Sequence, residues 1–297
     1  MNYLGDLSNY LSDRKINHLI VNENLYREYN HMIIPNGPVV KDYSLNKDEI
    51  SRLFSKLNGI LIKDTKLAGT NVKVNDEFAW YAIICDKFID KKDLKSKYRS
   101  EINRGLNNCS VRRITANELN DVGFDVHKKA LVGYGQNVKE DAHEKFSQML
   151  EIASNYDKLI HFWGCFDQEN KLIAYAQNYI YDSIEVFYST MKFDPEYLSL
   201  YPSYALIYTM NEYYLKGLGV KYVNDGFRSL YHKTNIQSYL VKKFNFKPLY
   251  LNLNMKYRAP YNLLVNFIYP FRKAIHGKNL KMDALLQQEA IARNGII

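Results

Sequence analysis

The chain has 297 residues, a hydrophobic fraction of 46% and a formal net charge of +8. This length suits one large domain or two of ordinary size, and the hydrophobic fraction can fill a core, which excludes bulk disorder. The basic charge favours nucleic acid, an anionic lipid headgroup or a phosphate-bearing substrate, although acidic residues are mixed with the basic ones. The 26 tyrosines are typical of strands with wet ends, a polar cleft or an interface.

The cysteines and the N-terminus indicate the compartment. The three cysteines, Cys85, Cys109 and Cys165, lie in apolar strand-like contexts and are not spaced as a metal pair. We therefore expect reduced, buried thiols and no metal. The first residues lack the basic opening and apolar centre of a signal peptide, and no apolar stretch approaches the ~20 residues of a membrane span. These features predict a cytoplasmic protein.

The first third of the chain reads as a short α/β unit. Strands are predicted at residues 29–34, 59–62 and 78–85, and a helix begins after Asn46 or Asp48. The segment 91–108 is predicted to be one basic amphipathic helix, because Leu94, Tyr98, Ile102 and Leu106 recur every four residues. We place a domain boundary inside this helix. The predicted domains are 1–98, 99–258 and a C-terminal helical segment, 259–297.

A regular series of elements follows Cys109. A strand precedes the sequence TANE, in which Thr115 and Glu118 can form a capping box, and helices follow it. Three strands at 159–166, 172–180 and 184–191 are joined by turns so short that they must form antiparallel hairpins. A helix from Ser203 to Leu218, a strand at 220–223, a helix to Phe244 and a final strand complete the order β-α-α-β-β-β-α-β-α-β.

The polar stretch 224–246 is the first candidate for a site. It begins at the end of a strand and brings Asp225, Gly226, Arg228, His232 and Asn235 into one short turn. Open α/β sheets usually bind ligands at the carboxyl ends of strands. The alternative is structural: the Asp-Gly pair is a turn, the segment TNIQ caps a helix, and His232 is an ordinary surface residue.

The order of elements resembles the GNAT acyltransferase fold. The opening SVRRITANEL and the hairpins in HFWGCFDQENKLIAYAQNYIYDSIEVFYST carry this resemblance. The linking sequence KYRSEINRG and the segment YPSYALIYTMNEYYLKGLGVKYVNDG are similar to the FemABX and BioF2-like branch, whose members have two GNAT-like units on one chain. The resemblance implies a mixed α/β fold with a mostly antiparallel sheet, a splayed parallel strand pair and a preceding partial GNAT-like unit.

The resemblance also implies a donor site. In GNAT enzymes acyl-CoA, often acetyl-CoA, inserts between the splayed strands, and its pyrophosphate meets the start of the next helix. The matching backbone amides belong to Ser203, Tyr204 and Ala205. This chain departs from the GNAT pattern because residues 198–205 contain no glycine and because Val241 occupies the approximate place of a catalytic tyrosine. FemABX proteins also lack the glycine-rich loop, and their aminoacyl donor arrives on tRNA.

The chemistry of N-acyl transfer selects further residues. Glu185, Asp225 and His232 are candidate acid or base groups, since the amine must lose a proton and the leaving group must gain one. Gln177 is a candidate for hydrogen bonding to the donor, as is its neighbour Asn178. Arg228 and Asn235 are candidates for acceptor binding, because a guanidinium can hold a phosphate or carboxylate at two points. Each also has a structural reading as a solvent-facing residue, a cap or a sheet-edge residue.

Three functions remain open from the sequence. The first is N-acyl transfer from acyl-CoA to an amine, on a small acceptor such as a sugar nucleotide or a cell-envelope or polysaccharide intermediate. The second is aminoacyl transfer of the FemABX kind with charged tRNA as partner, and the third is a non-catalytic module of the same fold. No DNA partner is expected. The tail PYNLLVNFIYPFRKAIHGKNL packs on the domain in one reading, and in another it makes a peripheral membrane contact.

Overall fold

The computed structural model describes residues 3–69, 75, 77–230, 235–277 and 279–295. The chain divides into two compact units, and each contains segments that are distant in sequence. The first unit comprises Met1–Tyr10, Ile84–Gly226 and Gln237–Lys247. The second comprises Leu11–Ile83, Phe227–Ile236 and Pro248–Ile297.

The described residues form eleven strands and eleven α-helices. The strands are β1 (His18–Val21), β2 (Asn24–Tyr29), β3 (Met32–Pro35), β4 (Leu61–Leu67), β5 (Trp80–Cys85), β6 (Ser110–Ile114), β7 (Ile160–Phe166), β8 (Leu172–Tyr181), β9 (Glu185–Phe193), β10 (Tyr222–Phe227) and β11 (Lys247–Tyr257). The helices are α1 (Tyr3–Asp13), α2 (Lys47–Lys56), α3 (Ser96–Asn108), α4 (Ala116–Val122), α5 (Phe124–Gly133), α6 (Ala142–Ala153), α7 (Pro202–Asn211), α8 (Ile236–Phe244), α9 (Ala259–Ile268), α10 (Arg272–Ile275) and α11 (Leu280–Asn294). Short 3-10 segments cover Lys91–Asp93, Pro195–Leu200 and Tyr269–Phe271.

The first unit has a mixed sheet in the order β10-β9-β8-β7-β6. Strands β6 to β9 are antiparallel, whereas β10 runs parallel to β9. Every residue of β7 is buried, which places the core of this unit around its middle strands. Helix α7 packs on β6, β7 and β8, and α5 packs on β8 and β9. The predicted fold class and the predicted parallel pairing of β9 with β10 are confirmed.

The second unit has its own strand order, β1-β2-β3-β4-β11-β5. Its core contains Val21, Tyr26, Ile33, Tyr43, Leu53, Leu57 and Ile62. The predicted helix is confirmed as α2, and Asn46 forms the full capping box with Glu49. Arg258, which follows β11, donates to the carbonyl oxygens of Phe54, Leu57 and Gly59. The end of β11 is thereby fastened to the end of α2.

Several predicted boundaries were wrong, for identifiable reasons. The strand predicted at 29–34 is a hairpin, because Asn30 and His31 both adopt positive φ and turn the chain between β2 and β3. The single helix predicted at 91–108 is interrupted at Leu94 and Lys95, and α3 begins at Ser96. At Thr115 the side chain caps α4 as expected, but the carboxylate of Glu118 binds Arg112 instead of completing the box. Helix α1 and strand β1 were not predicted.

The helix predicted from Ser203 to Leu218 changes geometry in its last turns. Residues Glu212–Gly217 form a π-helix, in which the amide of Leu218 donates to the carbonyl oxygen of Tyr213. π-Helical turns are rare and occur mostly as single turns. Tyr214, inside this segment, is fully buried.

A buried polar network surrounds the Tyr214 hydroxyl. It accepts hydrogen bonds from Trp163 Nε1 at 2.7 Å and from Asn178 Nδ2 at 3.2 Å. It lies 3.2 Å from Nδ1 of His161, whose pKa is lowered to about 3 by burial and by the charge of Arg113. The imidazole is therefore neutral at physiological pH, and in the tautomer with an unprotonated Nδ1 it accepts a hydrogen bond from the Tyr214 hydroxyl. One phenol group connects β7, β8 and the π-helix.

We predict that Tyr214→Phe lowers the free energy of unfolding by about 2–3 kcal/mol, because removal of one hydroxyl leaves three buried polar groups without this partner. The measurement is urea unfolding followed by circular dichroism. Tyr213→Phe, which removes a hydroxyl from the adjacent residue, is the matched control and should cost under about 1 kcal/mol. Equal stability of the two variants would show that the network contributes little.

Within the described part of the chain, no helix is both long enough and apolar enough to cross a bilayer.

Candidate functional site

Glu185 begins β9 and faces β10. Its side chain is 1% exposed, and its two carboxylate oxygens accept hydrogen bonds from the Tyr222 hydroxyl at 2.7 Å and from Asn224 Nδ2 at 2.8 Å. A buried carboxylate is stable only where such donors replace the water that it loses. Glu185 therefore joins the two parallel strands at the point where they are paired.

The paired region of β9 and β10 is short. The register joins Glu185, Val186 and Phe187 to residues 222–224, and both strands continue beyond it. A register shift between β8 and β9 makes Ser189 an extra residue on β9, opposite the Gln177–Asn178 step. Bulges of this kind free backbone groups from the ladder and are frequent beside active sites. Ser189 is exposed, and sequence reasoning did not select it.

Asp225 lies near the carboxyl end of β10, directly after Asn224. Burial raises the pKa of its carboxyl group to about 7, and a hydrogen bond with the Gln237 side chain opposes part of this rise. Gly226 follows with φ of +94°, and its amide donates to Oδ1 of Asn224 at 2.7 Å. The Nδ2 group of Asn224 thus binds Glu185, and its Oδ1 atom fixes the turn around Asp225.

The start of α7 is the predicted place for a donor phosphate. Tyr201 caps this helix in a left-handed conformation, and Pro202 has no amide proton. The amides of Tyr204 and Ala205 both donate to the carbonyl oxygen of Tyr201. The Ser203 hydroxyl lies 3.1 Å from the Tyr239 hydroxyl. These amides have partners within their own turn, unlike the free amides of an anion-binding helix start.

Helix α3 lies directly against this first turn. A Cβ atom at Gly105 would come within 2.6 Å of the Tyr201 carbonyl oxygen and 3.0 Å of the Ala205 amide nitrogen. Only a glycine allows two helix backbones to approach so closely. The basic face of α3 is therefore brought to the start of α7.

Two cations lie beside that helix start. Arg104 donates to the Tyr201 hydroxyl at 3.1 Å and stacks over its ring at 4.4 Å. Lys243, from α8, pairs with Glu101 at 2.5 Å and lies over the ring of Tyr98. Arginine and lysine side chains bind phosphates without needing free backbone amides. From the sequence, α3 was interpreted first as a solvent-exposed helix face, and neither Arg104 nor Lys243 was selected as a candidate.

The remaining predicted residues occupy different surroundings. Gln177 is buried and donates from Nε2 to the Tyr179 hydroxyl at 3.1 Å. Arg228, in the second unit, donates from Nη1 to the carbonyl oxygen of Ala79 at 2.9 Å. Asn235 is exposed. His232 lies outside the described residues.

The structure thus assembles Glu185, Asn224 and Asp225, together with Tyr222, along β9 and β10. Asn224 and Tyr222 were missed as polar partners, although their alternation along one strand was the available signal. Among the described residues, no group of three or more His, Cys, Asp or Glu side chains could hold a metal ion.

The raised pKa of Asp225 predicts a pH-dependent stability. The native state holds a proton that the unfolded state has already released, so the unfolding free energy falls as pH rises from about 4 to about 7. We expect that Asp225→Asn removes this decrease in the unfolding free energy, because an amide does not titrate. At pH 8 the variant should be more stable than the original chain by about 2 kcal/mol after allowance for solvent screening. At pH 4 the two should be nearly equal. Unfolding at both pH values tests this, and parallel curves would contradict a raised pKa.

Comparison with known proteins agrees with this architecture. No family model and no curated protein matches the sequence. A crystal structure of FemX matches with a TM-score of 0.54 at 11% identity, covering 82% of this chain and 88% of that one. The C-terminal domain of a protein described as a lysylphosphatidylglycerol synthetase, from Agrobacterium fabrum, matches at 0.51 and 10% identity over 90% and 91% of the chains. The L-PGS of Bacillus licheniformis matches at 0.51 and 13% identity over 94% and 93%.

The expected fold is therefore confirmed, since the chain shares it with FemX and with the two synthetase structures. Similarity at 10–13% identity establishes the fold. It leaves the chemistry to the residues of this chain.

Proposed function

We propose that the protein is a transferase that moves an acyl or aminoacyl group from an activated ester to an amine. The observation that carries the proposal is Asp225, a carboxyl group with a pKa raised to about 7 at the end of a strand that runs parallel to a bulged neighbour. A base is most effective when its pKa is close to the working pH. Ordinary surface aspartates, with pKa values near 4, are too weak for this task.

In the proposed step Asp225 is the general base. Its carboxylate takes a proton from the acceptor amine as the nitrogen lone pair attacks the ester carbonyl carbon. A C–N bond forms, the C–O or C–S bond to the carrier breaks, and the leaving oxygen or sulfur takes up the proton that the Asp225 carboxyl group received. Glu185 does not take part directly, since both of its oxygens are held by Tyr222 and Asn224. It positions β10 and thereby Asp225.

If Asp225 is the base, transfer should depend on pH. The rate at limiting acceptor should rise with pH and level off above about 7, where the carboxylate form predominates. Asp225→Asn should lower the rate by about 100-fold or more, and the exposed Asp121→Asn is the matched control. The assay follows formation of labelled amide from aminoacyl-tRNA or acetyl-CoA with a panel of primary amines. Wild-type turnover by Asp225→Asn at pH 8 would refute this role.

The start of α7 favours a charged tRNA over acyl-CoA as the donor. The amides of Tyr204 and Ala205 are used within the helix, whereas Arg104 presents a cation close by, and Lys243 is paired with Glu101. Contacts from cationic side chains to phosphates are the usual way to bind a nucleic acid backbone, and the net charge of +8 supports the same partner. We therefore propose an aminoacyl transferase with charged tRNA as donor.

Binding of an acceptor-stem RNA tests the donor. Arg104→Gln should weaken the complex several-fold and reduce the slope of log affinity against log salt by about one, because one phosphate contact is lost. Arg52→Gln, at an exposed position of α2, is the control. Fluorescence anisotropy over a salt series gives both quantities. A salt-independent affinity, or equal effects of the two substitutions, would contradict tRNA binding at this place.

Acyl-CoA is the second candidate, and the bulge at Ser189 favours it. A bulged strand offers free backbone groups that could pair with the amides of a pantetheine arm beyond the point where β9 and β10 stop pairing. Acetyl-CoA at saturating concentration would then raise the melting temperature, as any ligand of the native state does. If acetyl-CoA stabilises the protein and the acceptor-stem RNA does not bind, the donor is the thioester.

A further inference from the structure

The C-terminal helices of the second unit carry several strongly exposed apolar side chains. Leu263 and Phe267 are each 73% exposed and lie one helical turn apart on α9. Phe271 is 57% exposed, and its ring centroid lies 6.2 Å from that of Phe267. Leu280, at the start of α11, is 68% exposed. Large apolar patches of this kind mark interaction surfaces, whereas isolated exposed apolar residues do not. We call Leu263, Phe267, Phe271 and Leu280 the apolar patch.

The charge around the patch is predominantly positive. The sequence from Arg258 to Met282 contains five Lys or Arg residues and no Asp or Glu. Lys273 and Lys281 are exposed, and Arg272 lies over the ring of Tyr269 at 4.3 Å. Arg258 serves the fold, since it binds the end of α2. Asp283 follows this stretch directly, and its carboxylate accepts a hydrogen bond from the Gly277 amide and lies 3.4 Å from Nδ1 of His276. The exposed cations therefore outnumber the acidic groups beside the apolar surface.

A cavity opens beside the same helices. Its volume is about 760 Å³, and its lining includes Leu61 and Met32 from the sheet and Val265 and Leu286 from α9 and α11. This size is within the ~300–1,000 Å³ range of ligand pockets. Most of its lining is apolar, and Lys281 contributes a cation.

The mouth of the cavity is shared with the exposed surface. Tyr261, Leu264 and Met282 line the cavity and are also 39%, 51% and 37% exposed. An apolar chain that lies against α9 can therefore reach the cavity along these side chains. Lys281 at the same opening is placed to meet an anionic group attached to that chain.

We propose that α9, α10 and the start of α11 form a docking surface for an anionic phospholipid membrane. The apolar patch enters the headgroup region, Lys273 and Lys281 contact the anionic headgroups, and the cavity takes a lipid acyl chain. Amphipathic helices with basic residues and exposed Phe and Leu bind membranes in this way. A second copy of the chain is a poorer occupant, since a two-fold interface would place the same cationic surface against itself.

The test uses the full chain and sedimentation with phospholipid vesicles. Vesicles containing phosphatidylglycerol should bind at least tenfold more tightly than pure phosphatidylcholine vesicles, and added salt should weaken the binding. Leu263→Ser with Phe267→Ser should reduce binding at least tenfold. Val132→Ser with Leu198→Ser, which changes two exposed apolar residues of the first unit, is the matched control and should leave binding unchanged.

Charge and cavity have separate tests. Lys273→Gln with Lys281→Gln should reduce binding to the anionic vesicles several-fold and flatten its salt dependence, whereas Lys97→Gln with Lys158→Gln, two exposed lysines of the first unit, should not. Val265→Trp should narrow the cavity and displace a fluorescent fatty acyl probe. The melting temperature of each variant establishes that it is folded.

Three results would overturn the proposal: no preference for anionic vesicles, equal binding by the patch variant and its control, or self-association without lipid that the patch variant abolishes. The last would assign the patch to a second copy of the chain. Asp225→Asn should bind vesicles as the original chain does, so that loss of the proposed transferase chemistry and loss of the membrane surface are measured separately.

Discussion

The carboxylate of Glu185 sets the geometry on which the candidate site depends. It is buried between two parallel strands and stabilised by the Tyr222 hydroxyl and the Asn224 amide. Removing one of these donors would leave a buried charge with a lost partner, which is far more costly than losing a surface ion pair. The other end of Asn224 accepts the Gly226 amide. Asp225, between these two residues, is therefore held by contacts that begin on the neighbouring strand.

The same arrangement explains why one acid stays a structural group and its neighbour becomes a candidate base. Glu185 has hydrogen-bond donors on both oxygens, which replace the water that burial removes. Asp225 loses water without equivalent compensation, and its pKa rises. Glu185 and Asp225 thus have different environments. Such a difference often distinguishes a carboxyl group that positions other residues from one that transfers a proton.

Much of the fold could be predicted from the sequence because its signals are local. Short turns required hairpins for β7 to β9, and the helix between β9 and β10 required a parallel crossover. What could not be predicted depends on tertiary contacts. The turn at Asn30 and His31 uses non-glycine residues at positive φ, which no simple turn signature announces. Arg104 lies beside the start of α7 because Gly105 lets α3 pack closely against that helix, and this close packing could not be predicted from the sequence.

Only the part of the candidate site that depends on local sequence could be predicted. The position of Asp225 after a buried strand is a sequence feature, and it led to the site. The expectation that Arg228 serves a ligand used only its residue type, whereas in the structure its guanidinium is engaged by the Ala79 carbonyl oxygen. The alternation of Tyr222 and Asn224 was readable in the strand, but their common partner Glu185 lies 37 and 39 residues away in the chain.

The π-helical turn at Glu212–Gly217 has a consequence for how this chain tolerates length changes. A π-turn holds one residue more than an α-turn. Removing one residue here would let an α-turn take its place, and the side chains on either side of the turn would keep their positions. Tyr214 lies inside the π-helical segment, so the deletion would change which residue reaches the space between Trp163 and Asn178. In related sequences, a gap at this helix should therefore coincide with loss of the buried tyrosine.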